Sequence, residues 1–132
     1  MNVLAFTIEQ YPPSVNHIYR PRRGGGLYLT DEGNAYKKWT TLDASRAVHR
    51  TGWTPPAKPK GKRAPTLLVV ELYFFSPDWR TDCDNCLKLT LDAISAGIEY
   101  NDRYFLPRAM GRQVDKANPR IEVRVFCEEA EE

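Results

Sequence analysis

The order of apolar and polar positions divides the 132-residue chain into strand-like and helix-like segments. Val3 to Gln10 alternates with a period of two, the mark of a half-buried strand, and stops at Tyr11-Pro12-Pro13-Ser14, where adjacent prolines cannot continue a ladder. A loop carrying Arg20, Arg22, Arg23 and Gly24-Gly25-Gly26 follows, and then Leu27 to Leu29 as a short strand. Thr30 is placed as an N-cap, with Asp31 and Glu32 in the first turn. The helix it opens is expected to run to about Arg50, with Ala35, Trp39, Leu42 and Arg46 or Ala47 facing inward and Gly52 just beyond its end.

The run from Thr66 to Phe75 is nearly all apolar, as expected of a central strand covered on both faces, and Ser76-Pro77-Asp78 ends it. A second helix is expected from near Asp84 to Gly97. Leu87, Leu91, Ile94 and Ile98 form one stripe on it, and Asp84, Lys88 and Asp92 form another. Two further strands, roughly Phe105 to Gln113 and Arg120 to Cys127, close the pattern around a turn at Asp115 to Pro119. The fold class is α/β of the α+β type: a two-layer mixed β-sheet of about four or five strands packed with two main helices. It forms one domain over residues 1–127, with a mobile basic loop over about 51–65 and an acidic tail over 128–132.

Composition narrows the partners. The net charge is +2, yet Glu128, Glu129, Glu131 and Glu132 crowd the last five residues; without them, 19 basic side chains stand against 13 acidic ones. Such a surface permits a phosphate-rich partner. No apolar run approaches the roughly 20 residues that span a bilayer. Met1 to Gln10 lacks a basic leader and a cleavage site, so a cytoplasmic protein is expected. Three cysteines, Cys83, Cys86 and Cys127, are too few and odd in number for a disulfide scaffold.

Candidate chemistry concentrates between Asp82 and Asp102. In Asp82-Cys83-Asp84-Asn85-x-x-Lys88 the two acids, two apart in an extended stretch, project to one side. Carboxylate oxygens suit hard divalent ions such as magnesium. Lys88 is placed to bring a cation beside a phosphate, Asn85 to orient the carboxylates, and the helix N-terminus to favour an anion. Asp102 joins this group only if the chain doubles back after the second helix. Taken singly, each feature is ordinary: Asp84 a helix cap, Asp84 with Lys88 a solvated pair, Asp92 an exposed acid, Asn101-Asp102 a turn.

The run Asp82-Cys83-Asp84-Asn85-Cys86-Leu87-Lys88, then Leu91-Asp92-Ala93, then Asn101-Asp102, resembles the central motif of the RusA family of Holliday junction resolvases. Pro12-Pro13-Ser14-x-Asn16, Tyr19-Arg20 and Thr30-x-Glu32-Gly33-x-Ala35-Tyr36 resemble that family's opening segment in order and spacing. The resemblance implies a homodimeric endodeoxyribonuclease of mixed α/β fold that nicks four-way DNA junctions symmetrically, with magnesium or manganese, in recombination and repair. It implies Asp82, Asp84 and Asp102 as the catalytic and metal-binding acids and Lys88 as the essential lysine, with Asn85 matching the motif in support. It also implies action in the cytoplasm of a bacterium or of a phage's host. The chain departs from the pattern at Asn101, where the family often has a second aspartate. It departs at Arg103 to Pro107, which lack the usual strand opening, and at Cys83 and Cys86, which replace apolar residues.

Two basic segments are candidates for DNA backbone: Arg20, Arg22 and Arg23, and Lys58, Lys60, Lys62 and Arg63. Arg112 and Lys116 are further basic candidates, and Tyr19 and Tyr28 are candidates for stacking or for the core. Two other readings compete. A non-catalytic structure-specific DNA-binding protein on the same fold would bind branched DNA without cutting it. A zinc or thiol protein would use Cys83 and Cys86, with only Cys127, His17 and His49 to complete a zinc site, and two flanking aspartates would oppose a thiolate.

Overall fold

The computed structural model describes residues 2–58, 60–62, 64–80 and 86–128. Along them run β1 (Leu4–Ile8), α1 (Val15–Ile18), β2 (Tyr19–Pro21), β3 (Leu27–Leu29), α2 (Asp31–Thr51), β4 (Leu68–Ser76), α3 (Leu87–Ile98), β5 (Phe105–Val114) and β6 (Arg120–Cys127). A four-stranded sheet has the order β1-β6-β4-β5, and β2 and β3 pair separately. β4 is antiparallel to β6 and parallel to β5, so the α+β class expected from the pattern holds.

The unbroken apolar run of β4 explains its central position. Leu68, Val70, Leu72 and Phe74 join the hydrophobic core, and on the alternate side Val69 and Glu71 are buried too. The Glu71 carboxylate accepts a hydrogen bond from Arg124 Nη1 at 3.2 Å, which supplies the partner a buried charge requires. Parallel neighbours cannot be joined by a tight hairpin, and the crossover from β4 to β5 is made through α3.

Thr30 caps α2 as expected, its hydroxyl accepting from the Gly33 N–H at 3.1 Å, and Gly52 ends it in the left-handed region at φ 71°. The inner face differs from the expectation by about one residue. Gly33, Tyr36, Thr40, Ala44 and Ala47 are buried, whereas Ala35 and Trp39 are exposed and Leu42 is only half-buried. Hydrophobicity pointed to Trp39; close packing instead selects small residues where α2 meets α3, with Tyr36 filling the core beside them. Ala44 meets Gly97 there, and Tyr36 Oη is 2.8 Å from Thr90 Oγ1.

Two other boundaries shift. The stretch expected as one loop before Leu27 contains the short α1 and the strand β2, which pairs with β3. The second helix begins at Leu87; residues 81–85, where its start was expected, lie outside the described residues. On α3, Ile94 and Ile98 of the expected stripe are buried, Leu87 and Leu91 only partly, and Leu89, Thr90, Ala93 and Gly97 complete the inner face.

A methyl group at Gly97 would lie 2.6 Å from Ala44 Cβ and 2.6 Å from the Thr41 carbonyl oxygen. Gly97→Ala is therefore expected to destabilise the protein despite alanine's helix advantage of about 1 kcal/mol, because overpacking against atoms that cannot rotate away costs roughly 1–3 kcal/mol. The check is the urea midpoint: a lower value at unchanged slope is expected, and an unchanged midpoint would show that the two helices can part freely.

Candidate functional site

The crossover unit sets the geometry of the site. Lys88 is the second residue of α3, and Asp92 lies one turn further along the same face. The helix ends at Glu99, which takes a left-handed conformation (φ 59°, ψ 44°). Tyr100 then anchors the return: its ring is buried, its hydroxyl donates to the Thr66 carbonyl at 2.7 Å, and its own carbonyl accepts from Ser95 Oγ. The Asn101 side chain caps a 3-10 turn over Asp102–Tyr104, accepting from the Arg103 N–H at 3.0 Å.

That turn brings Asp102 back against the start of α3. Lys88 Nζ lies 2.7 Å from Asp92 Oδ1 and 3.2 Å from Asp102 Oδ2. The chain thus doubles back as Asp102 requires, and Lys88 and Asp102 meet. Asp82, Cys83, Asp84 and Asn85 lie outside the described residues, as does Arg63.

The three charges interact unequally with solvent. The Lys88 side chain is 75% exposed, while those of Asp92 and Asp102 are 34% and 28% exposed. The Asp92 side chain, as hydrogen-bond partner, holds the Asp102 carboxyl below the ordinary carboxylate range, reinforced by the Lys88 ammonium and opposed by partial burial. Lys88 is in turn held above the ordinary lysine value, first by its hydrogen bond to Asp92 and then by that to Asp102. The site therefore presents an ionised oxygen donor and a firmly protonated ammonium side by side. Asp92, expected as an exposed acid, is partly buried and contacts Lys88, consistent with its place on the Asp84, Lys88, Asp92 stripe.

The basic candidates fall in different places. Arg20, Arg22 and Arg23 are exposed on the β2–β3 hairpin, whose tip is formed by Gly24, Gly25 and Gly26, all at positive φ. Lys58, Lys60 and Lys62 are exposed, and Lys58 lines a groove of about 710 Å³ with Glu99, Tyr100, Asn101 and Tyr104, against the turn that carries Asp102. Lys116 is exposed in the β5–β6 turn, and Arg112 binds the main chain of residues 78 and 79. Tyr19 packs on the core, whereas Tyr28 is 43% exposed. Cys86 is buried, its thiol donates to the Pro13 carbonyl at 2.8 Å, and burial pushes its pKa up to about 11. Those are the properties of a packing residue that fastens the start of α3 to the double-proline segment, and they disfavour a thiolate.

Comparison with known proteins agrees with this architecture. The family model described as Endodeoxyribonuclease RusA matches residues 10–126. The chain is 30% identical over 127 residues to the crossover junction endodeoxyribonuclease rusA of Enterobacteria phage HK97, an alignment covering 95% of each chain.

Because Asp92 is the larger influence on Lys88, Asp92→Asn is expected to lower the Lys88 pKa toward the ordinary lysine value, and by more than Asp102→Asn does. Titration of the lysine side-chain resonances by NMR reads this directly. An unmoved Lys88 in Asp92→Asn would remove Asp92 from the site.

Proposed function

The chain belongs to the RusA family of endodeoxyribonucleases, and from that premise we propose that it resolves four-way DNA junctions by paired, symmetric, magnesium-dependent nicks, with manganese as an alternative ion. The observation that carries this reading is the contact of Lys88 with Asp102 across the crossover, with Asp92 holding the lysine from the other side.

Of the proposed acid set only Asp102 falls among the described residues, and its chemistry suits a divalent cation. Asp102 offers a hard oxygen donor that is ionised below the ordinary carboxylate range, and with Asp82 and Asp84 it makes up the acid set that would hold the ion. A divalent ion held there supplies Lewis-acid charge to the reacting phosphodiester. Lys88 is protonated too firmly to act as a base and serves as a cation beside the phosphate or the departing oxygen. Were Asp102 to serve as a ligand to the ion, the contact of Lys88 with Asp92 would keep the ammonium placed. Asp92 is thus a positioning residue.

The arginines of the β2–β3 hairpin and the Lys58 to Arg63 segment contact the DNA backbone in this reading. The glycine tip allows the hairpin to follow the phosphates without side-chain obstruction. Two nicks at opposed strands need two such sites, hence a homodimer. Among the described residues no helix is long and apolar enough to cross a membrane, and the cytoplasm, of a bacterium or of a phage's host, is the proposed place of action.

Cleavage of a synthetic four-way junction in magnesium tests the reading. Asp82→Asn and Asp102→Asn are each expected to lose about 10²–10³-fold or more in rate, the scale of removing one transition-state stabiliser, while junction binding survives. Robust cutting by either variant would end the assignment. Separately, Arg22→Ala and Arg23→Ala should each weaken DNA binding and reduce the slope of log K against log salt by about one if the residue neutralises one phosphate. Unchanged slopes would remove the hairpin from the DNA path.

A further inference from the structure

The far end of β5 carries an arrangement that the acid–lysine site does not use. The register of β4 and β5 pairs Leu72 with Ala109 and then Tyr73 with Gly111, so Met110 is one residue too many. An extra residue reverses the alternation beyond it and re-aims the side chains that follow. Arg112 consequently pairs with Phe74, a core residue, where an unbroken strand would have turned it to the opposite face alongside Arg108.

From that position Arg112 holds the loop after β4. Its Nη2 donates to the Trp79 carbonyl at 2.9 Å and to the Asp78 carbonyl at 3.4 Å, and its guanidinium carbon lies over the Trp79 ring, 5.4 Å from the centroid. Asp78 Oδ1 accepts from the Arg80 N–H at 2.9 Å and closes a turn around the tryptophan. Trp79 itself is 68% exposed, more than Leu27, Tyr28, Trp39 or Met110. A large indole is thus held in water by polar contacts behind it, with none of the burial that normally places a tryptophan.

We propose that Trp79 is a stacking platform for an unpaired nucleobase of the branched DNA substrate, with Arg112 as the positioning residue that backs it. The substrate class rests on the nuclease reading above; the platform rests on the geometry of residues 78–80 and 112. A nucleobase fits better than an aliphatic ligand because a flat ring with a cation behind it offers a π-face, and any base can stack on it without sequence preference. Arg80, exposed next to the ring, suits the accompanying phosphate. Trp79 precedes Asp82 by three residues, so their Cα atoms can be separated by about 11 Å at most. Base-paired duplex keeps its π-faces in the stack, whereas a branch point opens some of them. The platform therefore selects DNA by structure.

The test uses the full-length protein without divalent ion, so that nothing is cut, and a four-way junction carrying 2-aminopurine at successive positions around the branch point. The wild type is expected to quench the probe in at least one of these positions. Trp79→Ala is expected to abolish that quench and to lose about tenfold more affinity for the junction than for a fully paired duplex. Trp79→Phe should retain part of both effects, and Arg112→Gln should weaken the quench. Quenching and affinity by Trp79→Ala equal to wild type would overturn the proposal, as would equal losses on junction and duplex. A changed oligomeric state with the quench intact would overturn it in favour of packing against a second copy. Cleavage in magnesium is read in a separate assay. A wild type that quenches the probe but never cuts leaves the platform standing and sinks the nuclease reading.

Discussion

The parallel pairing of β4 with β5 is the constraint on which the site depends. Two parallel neighbours demand a crossover, and here α3 is that crossover. Its length, its packing on α2 and its two ends then decide where the charged residues fall. Lys88 and Asp92 occupy its first turns, and Asp102 sits on the return to β5. The return is tight because Glu99 accepts a left-handed backbone and Tyr100 is pinned to the Thr66 carbonyl. Loosening that anchor would move Asp102 away from Lys88 without touching either residue.

Much of this was legible in the order of residues, and the exceptions have physical causes. The β4 run, the β6 alternation, the Thr30 cap and the Gly52 stop are local signals, each set by burial or backbone chemistry within a few residues, and the structure reproduces them. The inner face of α2 was misplaced because it is decided by a distant partner. Gly97 lets α3 approach so closely that small residues, Ala44 above all, are needed opposite, and Trp39 is turned out. Leu27–Leu29 was expected as a short strand, but its partner β2 escaped notice because a three-residue strand leaves no periodicity to read. Of the site itself, the Lys88–Asp102 encounter was legible as a possibility of chain length, whereas the hold of Asp92 on Lys88 depended on side-chain directions that spacing leaves open.

The charge arrangement around Lys88 has a further consequence. One ammonium shared by two carboxylates is more than neutralised, which would be a poor start for attracting a phosphate. On the proposed reading, an ion held by Asp102 would change that balance by adding positive charge, and the contact with Asp92 would keep the lysine in place. In that reading Asp92 would have a role distinct from that of the acids that would hold the ion.

On the two proposals above, the strand β5 would separate chemistry from selection. Asp102 lies just before its first residue, Phe105, which pairs with Leu68, whereas Arg112 pairs with Phe74 six β4 residues further on. At about 3.3 Å per residue the two ends are roughly 20 Å apart. Because the extra residue at Met110 lies between them, it re-aims Arg112 while leaving the register at Phe105 intact. If both proposals hold, a single insertion in one strand would change how the DNA branch is held without disturbing the acid that precedes that strand, and binding preference and bond cleavage could vary independently on one sheet edge.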